Sequence, residues 1–164
     1  MERPDILIRS ARSNETELLA RIGLEAWLGG IAPLVPDAVH RDVLRDNPFL
    51  PFLKTLGPAV LVGEIGDEPA GIGACEKADN TISDIWVAPA FGGRGVGSAL
   101  IRALEREILG RGHTIARIQV AALNARAFSL YRHLGYLEDW RQVCFDPILK
   151  VELEKVGLSK RLRP

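Results

Sequence analysis

The spacing of hydrophobic residues changes repeatedly along the chain, and each change marks the boundary of a predicted element. Continuous or alternating apolar residues over a short run favour a β-strand, whereas apolar residues three and four positions apart favour an amphipathic helix. Strands are predicted at residues 5–11, 59–65, 70–77, 81–87, 114–120, 136–145 and 148–156. Helices are predicted at residues 13–28, 37–46, 96–108 and 124–135. The chain is therefore expected to fold as a mixed α/β protein with a hairpin-rich first half.

Three segments define these elements most sharply. The apolar stripe that predicts the third helix consists of Val96, Ala99, Leu100, Ala103, Leu104 and Ile108. A helix with such a stripe has one face to bury, so it is expected to cover a sheet. Gly66–Pro69 predicts the turn of an antiparallel hairpin. In the last strand, Leu149, Val151 and Leu153 alternate with charged residues, and this strand is also a candidate for pairing across a homodimer.

Composition indicates an ordinary folded domain. The 164 residues are 47% hydrophobic and 26% charged, as in globular proteins, and this length suits a single domain over residues 1–164. Lysine plus arginine and aspartate plus glutamate both number 21. Because no global field then steers a polyanion, nucleic acid is not an expected partner. The basic end, residues 159–164, is expected to be a solvated tail.

Neither a membrane span, nor a metal site, nor a disulfide is expected. Residues 1–10 lack the pattern of a secretory leader, and no apolar run reaches the roughly 18 residues of a membrane span. A cytoplasmic protein is therefore expected. Cys75 and Cys144 lie in separate strand-like runs and are expected to be buried free thiols. The three histidines show no metal-ligand spacing.

The segment FGGRGVGSAL, residues 91–100, places four glycines between a predicted strand and the apolar helix. Backbone NH groups at a helix start can bind an anion, and glycine lets that anion approach the main chain. A purely structural tight turn is the alternative. Two nucleotide patterns fail here. The P-loop requires a lysine before its Ser or Thr, but Gly97 is followed directly by Ser98, and the dinucleotide pattern requires a third glycine where Ser98 or Leu100 stands.

Two patterns in order along the chain resemble a known superfamily. The loop in IWVAPAFGGRGVGSALI is similar to the Q/R-x-x-G-x-G/A loop of the Gcn5-related N-acetyltransferase superfamily, with Gly95 and Gly97 at its glycine positions. The helix in NARAFSLYRHLGY matches the superfamily pattern N-x-x-A-x-x-x-Y-x-x-x-G-[FY] at every fixed position. These positions are Asn124, Ala127, Tyr131, Gly135 and Tyr136. Gly92 departs from the pattern, since it stands where the superfamily has Gln or Arg, and Arg94 could supply the missing charge.

The resemblance implies a mixed, largely antiparallel central sheet, splayed between its fourth and fifth strands and flanked by about four helices. Acetyl-CoA would be the cosubstrate in the gap, with its pyrophosphate on the NH groups of residues 92–98 and its pantetheine arm along residues 85–87. The NH of Val87 would hold the thioester carbonyl as an oxyanion donor does. The cofactor-binding residues implied in this way are Ile85, Trp86, Val87, Gly92, Gly93, Arg94, Gly95, Val96, Gly97, Ser98, Asn124 and Tyr131.

The implied reaction is direct transfer of an acetyl group to a primary amine of a small molecule or peptide. Tyr131 would be the general acid toward the leaving thiolate, and Asp84 is a candidate base for the amine proton. Glu64, Glu76 and ordered water are alternative bases. The link between the first two helices, residues 27–36, is expected to lie over the acceptor side.

Two other functions compete with this interpretation. A non-catalytic acyl-CoA-binding or sensing module would keep the fold and the glycine loop, although the presence of Tyr131 argues against it. A nucleotide-binding domain of another class is disfavoured by the two failed phosphate patterns. Asn124 is expected to cap its helix in all three cases. No residue identifies the amine acceptor.

Overall fold

A computed structural model describes residues 5–146 and 149–164 of the chain. These residues form the helices α1 (Thr16–Gly30), α2 (Asp37–Asp46), α3 (Phe49–Leu56), α4 (Val96–Gly110) and α5 (Ala125–His133). They form the strands β1 (Ile6–Ser10), β2 (Leu61–Ile65), β3 (Glu68–Ala74), β4 (Thr81–Ile82), β5 (Asp84–Val87), β6 (Ile115–Ala121), β7 (Leu137–Asp146) and β8 (Val151–Arg161). A short 3₁₀ helix, Pro89–Phe91, follows β5 and leads into the glycine loop.

The strands form two sheets that separate within the predicted fourth strand. One sheet has the order β1-β2-β3-β5 and the other the order β4-β6-β8-β7. Ser83 lies between β4, which pairs in parallel with β6, and β5, which pairs antiparallel with β3. The pairs β1–β2, β2–β3, β6–β8 and β7–β8 are also antiparallel. The predicted fold class, a mixed and largely antiparallel sheet with flanking helices, is confirmed.

Helix α4 packs directly on a glycine-lined face of the first sheet. Its buried apolar residues are Val96, Leu100, Ile101, Ala103, Leu104 and Ile108, close to the predicted stripe. A Cβ built on Gly63 or Gly71 would lie 2.9 or 3.0 Å from a methyl group of Val96, so a side chain at either position would push the helix away. Because Gly71 is the register partner of Val87, this packing sets the start of α4 beside the end of β5.

Helices α1, α2 and α3 enclose a second core on the opposite face of that sheet. Its helical members include Leu19, Ala20, Ile22, Trp27, Val39, Val43, Phe49 and Leu53. Val62 and Ile72 join this core, as the alternation of side chains along β2 and β3 requires. The sequence pattern does not predict α3, because Pro51 interrupts it. Pro51 is the third residue of α3, where the NH that proline lacks would have no partner within the helix.

The predicted hairpin is confirmed, with a turn shorter than Gly66–Pro69. Gly66 and Asp67 alone connect β2 to β3, and their φ angles are 55° and 66°. Two successive positive φ angles are typical of the two-residue turn whose twist matches that of the paired strands.

The last strand extends further than the sequence pattern predicts. β8 continues to Arg161, and Lys160 forms an ion pair of 3.1 Å with Glu105 of α4. The expectation of a solvated basic tail over residues 159–164 is therefore wrong for residues 159–161. It is also wrong for Leu162, which is buried and whose NH donates to the carbonyl oxygen of Thr114. Val151 and Leu153 are half-buried between exposed glutamates, as the alternation predicts. Ile148, where the predicted strand begins, lies outside the described residues.

Helices α1 and α4 are the longest in the described part of the chain, with 15 residues each. No helix in that part is both long enough and apolar enough to cross a bilayer. Within residues 5–146 and 149–164, no three His, Cys, Asp or Glu side chains come together as potential metal ligands. Cys75 and Cys144 are free thiols. Both are only half-buried, so the expectation of buried thiols is wrong in that respect.

Candidate active site

The change of strand pairing at Ser83 leaves one edge of β5 open. β4 pairs with β6 only at Thr81 and Ile82. β5 pairs with β3 on its other edge, and within the described ranges no strand pairs with β5 on the side of β6. A gap lined by main-chain groups therefore lies between β5 and the end of β6, residues 119–121.

The main chain of Val87 faces this gap. On the opposite edge, the NH of Ala88 donates to the carbonyl oxygen of Ala70 beside β3, at 2.9 Å. Hydrogen-bonding groups of successive strand residues alternate between the two edges, so the NH of Val87 points away from β3. The side chain of Val87 packs in the core beneath α4. What Val87 offers to a ligand in the gap is a main-chain donor.

The glycine loop connects the end of β5 to α4 and requires glycine at two positions. Gly93 and Gly95 have φ angles of 73° and 91°, a left-handed backbone that other residues rarely adopt. α4 begins at Val96, with Gly97 and Ser98 in its first turn. The NH groups of that turn have no partner within the helix, and the positive end of the helix dipole lies there. The loop therefore has the backbone chemistry of an anion site.

The predicted side chains around the loop differ in what they can offer. Val96 is 1% exposed, so it is accessible only through its main chain, whereas Ile85 is half-buried against the same core. Trp86 lies on the other face of β5, with its ring centre 5.2 Å from that of Phe49. Arg94 is exposed, and its guanidinium lies 5.6 Å from the centre of the Phe91 ring.

Helix α5 lies beside the glycine loop and carries Tyr131. Asn124 caps the helix as predicted, because its side-chain oxygen accepts a hydrogen bond from the NH of Ala127 at 3.3 Å. Leu130 lies against the loop, since a Cβ built on Gly97 would be 3.3 Å from Cδ2 of Leu130. Close packing of α5 on the first turn of α4 is therefore the structural requirement for glycine at position 97.

An arginine that the sequence patterns do not single out lies at the start of the loop. A Cβ built on Gly92 would be 3.0 Å from Nη2 of Arg126, the second residue of α5. The departure of Gly92 from the superfamily pattern is the sequence signal that could lead to Arg126. That signal does not identify which of the chain's arginines fills the space, because the two positions are far apart in sequence.

Tyr131 of α5 lies within range of the charge of Asp84, the first residue of β5. Tyr131 is 7% exposed, and within the described part of the chain its hydroxyl forms no hydrogen bond. Burial, followed by the negative charge of Asp84, raises the pKa of Tyr131, so the phenol stays protonated at neutral pH. The carboxylate of Asp84 accepts hydrogen bonds from the Ser83 hydroxyl at 2.7 Å and the Trp86 indole NH at 3.1 Å. A protonated donor thus lies near a carboxylate held in place.

The two alternative carboxylate bases have different surroundings. Glu64 is buried, and its carboxylate accepts a hydrogen bond from Arg9 Nε at 2.6 Å, so it belongs to an ion pair within the first sheet. Desolvation, followed by the charge of Asp84, raises the pKa of Glu76. The NH of Glu76 donates to the Ser83 hydroxyl at 2.8 Å. Ser83, which sequence patterns also miss, therefore contacts both Glu76 and Asp84.

Several known sequences are similar to this chain. The sequence profile described as the acetyltransferase (GNAT) family matches residues 25–136. An uncharacterized N-acetyltransferase from Archaeoglobus fulgidus is 28% identical over 133 residues, which cover 76% of this chain and 88% of that protein. Another from Methanocaldococcus jannaschii is 35% identical over 86 residues, 47% of this chain. The matched part spans only 38% of the length of the M. jannaschii protein.

Solved structures share the fold over nearly the whole chain. A GCN5-related N-acetyltransferase from Rhodopseudomonas palustris has a TM-score of 0.79 at 21% identity, with 99% of both chains covered. A putative acetyltransferase from Salmonella typhimurium, solved with its cofactor acetyl-CoA, has a TM-score of 0.67 at 20% identity, with 98% of this chain and 95% of that chain covered. Because the family profile also covers more than half of the residues, the chain belongs to the acetyltransferase (GNAT) family, which uses acetyl-CoA as its acyl donor.

Proposed function

We propose that this protein is an acetyl-CoA-dependent N-acetyltransferase that moves an acetyl group directly to a primary amine of a small molecule or peptide. The observation that carries the proposal is the open edge of β5, which ends at the glycine loop and the start of α4. Asp84 is the first residue of this edge strand, and its charge acts on Tyr131. In this proposal the edge of β5 takes the thioester end of the donor, and the glycine loop takes the pyrophosphate.

The described residues fit this donor. Gly93 and Gly95 leave the NH groups of the loop free of side chains, so the pyrophosphate oxygens can approach residues 92–98. The unpaired edge at residues 85–87 accommodates the amide groups of the pantetheine arm as an added strand. Acetyl-CoA, when bound, supplies the activated acetyl group. In this proposal Asn124 caps the helix that carries Tyr131, and Tyr131 acts at the thioester.

Three groups of the chain act on the reacting atoms in this proposal. The NH of Val87 donates to the thioester carbonyl oxygen and stabilises the negative charge that develops there. Asp84 accepts the proton that the amine must lose, directly or through water. Tyr131 donates its proton to the leaving sulfur. The bond from nitrogen to the acyl carbon forms, and the bond from that carbon to sulfur breaks.

The acceptor binds on the side of α1 and α2 in this proposal. Trp86 packs in the core formed by these helices, and its indole NH is bonded to Asp84, so the carboxylate is oriented toward that side. The connection predicted to cover the acceptor, residues 27–36, comprises the end of α1, a short 3₁₀ helix and the residues before α2. A non-catalytic acyl-CoA-binding module accounts for the glycine loop but gives no role to Tyr131 and Asp84.

The proposal also covers the organisation and setting of the protein. It treats residues 1–164 as one cytoplasmic domain, and the balance of 21 basic and 21 acidic residues supports the absence of a nucleic-acid partner. A homodimer would pair through β7 instead of the last strand, because β8 lies between β6 and β7. Val143 and Phe145 of β7 are 63% and 61% exposed, which supports that choice of strand.

Thermal unfolding with acetyl-CoA, NAD or ATP tests the donor. A ligand that binds only the folded state stabilises it by about 2.7 kcal/mol at 100 times its Kd, so acetyl-CoA is expected to raise Tm, whereas NAD and ATP are not. Gly95→Val is the matched variant, because a branched side chain is strained at a φ of 91° and crowds the approaching phosphate. It is expected to fold yet lose the acetyl-CoA shift. Equal shifts from all three nucleotides, or an undiminished shift in the variant, would contradict the proposal.

A screen of primary amines for release of the CoA thiol, with the mass of each product, tests the transfer step. At least one small or peptide amine is expected to gain an acetyl group on nitrogen. Acetyl-CoA binding without turnover across the screen would favour the non-catalytic module.

A further inference from the structure

We propose that Arg126 of α5 binds the pyrophosphate of acetyl-CoA and supplies the positive charge that position 92 lacks. The inference rests on the proposed function, because it assumes that the glycine loop holds this pyrophosphate. It assigns a phosphate-binding role to a residue at an unspecified position of the second superfamily pattern, between Asn124 and Ala127.

The conformation of Gly92 shows that glycine is not needed there for backbone freedom. Its role is to leave space. Its φ of −62° and ψ of 147° are accessible to any residue. The atoms nearest to the place where a Cβ would stand are Nη2 of Arg126 at 3.0 Å, the carbonyl oxygen of Pro89 at 3.4 Å and Cζ of Arg126 at 3.8 Å. Glycine at position 92 therefore makes room for the guanidinium of another element.

The packing of α5 carries Arg126 to that space. Leu130, four residues later, contacts the first turn of α4 at Gly97, and residues four apart share one face of a helix. One face of α5 thus meets the loop twice, with Arg126 at Gly92 and Leu130 at Gly97. The guanidinium lies at the start of the segment whose NH groups form the anion site.

The charge of Arg126 has no counterpart within the protein. In residues 5–146 and 149–164, no carboxylate lies within 4.0 Å of its guanidinium, which is also true of Arg94 and Arg132. Arg126 is the second residue of α5, and no acidic residue accompanies it in the first turn. A cation at this position opposes the helix dipole. An exposed, unpaired cation in an unfavourable place beside an anion site is accounted for by a bound anion.

Arg94, the other candidate for the missing charge, is engaged differently. Its guanidinium lies over the Phe91 ring at 5.6 Å, and its backbone neighbours are the left-handed Gly93 and Gly95. Arg94 therefore lies over an aromatic ring of the same segment, whereas the guanidinium of Arg126 comes to the loop from another element, α5.

Calorimetric titration of Arg126→Ala with CoA, dephospho-CoA and acetyl-pantetheine tests the assignment. Charge-assisted hydrogen bonds of ordinary strength correspond to a loss of about tenfold to a hundredfold in affinity. We expect this loss with CoA and equally with dephospho-CoA, which keeps the pyrophosphate, and no change with acetyl-pantetheine, which has none. Arg132→Ala removes an exposed arginine from the far end of the same helix and is expected to bind CoA as the unaltered protein does.

Gly92→Arg in the Arg126→Ala background provides a gain-of-function arm. The vacated space and the permissive backbone at position 92 are expected to let the new arginine restore most of the lost affinity. A loss confined to CoA would place Arg126 at the 3′-phosphate and overturn the assignment, as would unchanged affinity in Arg126→Ala.

Two measurements separate failure of this inference from failure of the proposed function. If Gly95→Val loses CoA while Arg126→Ala binds normally, the loop is the phosphate site and Arg126 has no part in it. If the unaltered protein binds no acetyl-CoA, both proposals fail. Melting curves without ligand identify any variant whose lost affinity comes from unfolding, and for such a variant Arg126→Gln provides the comparison.

Discussion

Tyr131 and Tyr136 belong to one stretch of chain, and their rings are T-shaped neighbours 6.4 Å apart. The hydroxyl of Tyr136 donates to Glu105 at 2.8 Å, and Lys160 pairs with the same carboxylate at 3.1 Å. The hydroxyl of Tyr131 has no hydrogen-bond partner in the described part of the chain, and the nearby charge that acts on it is that of Asp84. Burial is the largest cause of a raised pKa in both tyrosines.

The two tyrosines differ in whether the hydroxyl donates a hydrogen bond to another residue. Tyr136 donates its hydroxyl proton to a buried carboxylate, so it stabilises the contact between α4, β8 and the segment that joins α5 to β7. Tyr131 keeps its proton available near an open strand edge. Two buried tyrosines of one sequence motif thus illustrate a structural and a chemical use of the same group, and substitutions can separate the two uses.

Tyr131→Phe is expected to produce the largest effect, on turnover. The substitution retains the ring and removes only the proton donor, and general acid catalysis typically contributes about 10²- to 10⁴-fold. Turnover with a responsive amine should fall within that range where the chemical step limits the rate, while the calorimetric affinity for acetyl-CoA and the melting temperature stay close to their original values. Near-native turnover in this variant would remove Tyr131 from the catalytic group.

Tyr136→Phe is expected to produce a smaller effect, on stability. Hydrogen bonds to charged groups contribute about 1.5–3 kcal/mol, so the free energy of unfolding from urea titration should fall by that amount. Turnover of the folded protein should be unchanged, because Tyr136 is fully buried and its hydroxyl already donates to Glu105. A loss of turnover without a loss of stability would show that the two tyrosines are not divided in this way.

Asp84→Asn is expected to lower the pKa of Tyr131, which is the smallest of the three effects on the two tyrosines. The negative charge of Asp84 raises the pKa of Tyr131, so its removal should lower that pKa while burial keeps it above the ordinary value. The chain contains two tyrosines, and in the Tyr136→Phe background an ultraviolet titration reports Tyr131 alone. An unchanged onset of ionisation would mean that Asp84 is too far from the phenol to influence it.

The elements that local pattern could predict are those whose cause lies within a few residues of chain. The stripe beginning at Val96 predicts α4 because an amphipathic face needs only the spacing of its own residues. Asn124 is recognisable as a cap because its side chain bonds to the NH three residues later. Gly93 and Gly95 lie in a glycine-rich segment before a helix, and the structure places both at positive φ. The sequence pattern does not predict α3, because a proline at position 51 argues against a helix. The helix is supported by its packing against α1 in the second core.

Local sequence patterns were therefore sufficient for most strands and helices, for the glycine loop at a helix start and for the motif that contains Tyr131. The change of strand pairing at Ser83, the effect of the Asp84 charge on Tyr131 and the position of Arg126 beside Gly92 follow from the folded structure alone. Helical periodicity, caps and turns arise from neighbours in the chain, whereas these three features depend on which distant elements meet. Such long-range contacts depend on the packing of the whole core, and they produce no local periodicity in the sequence.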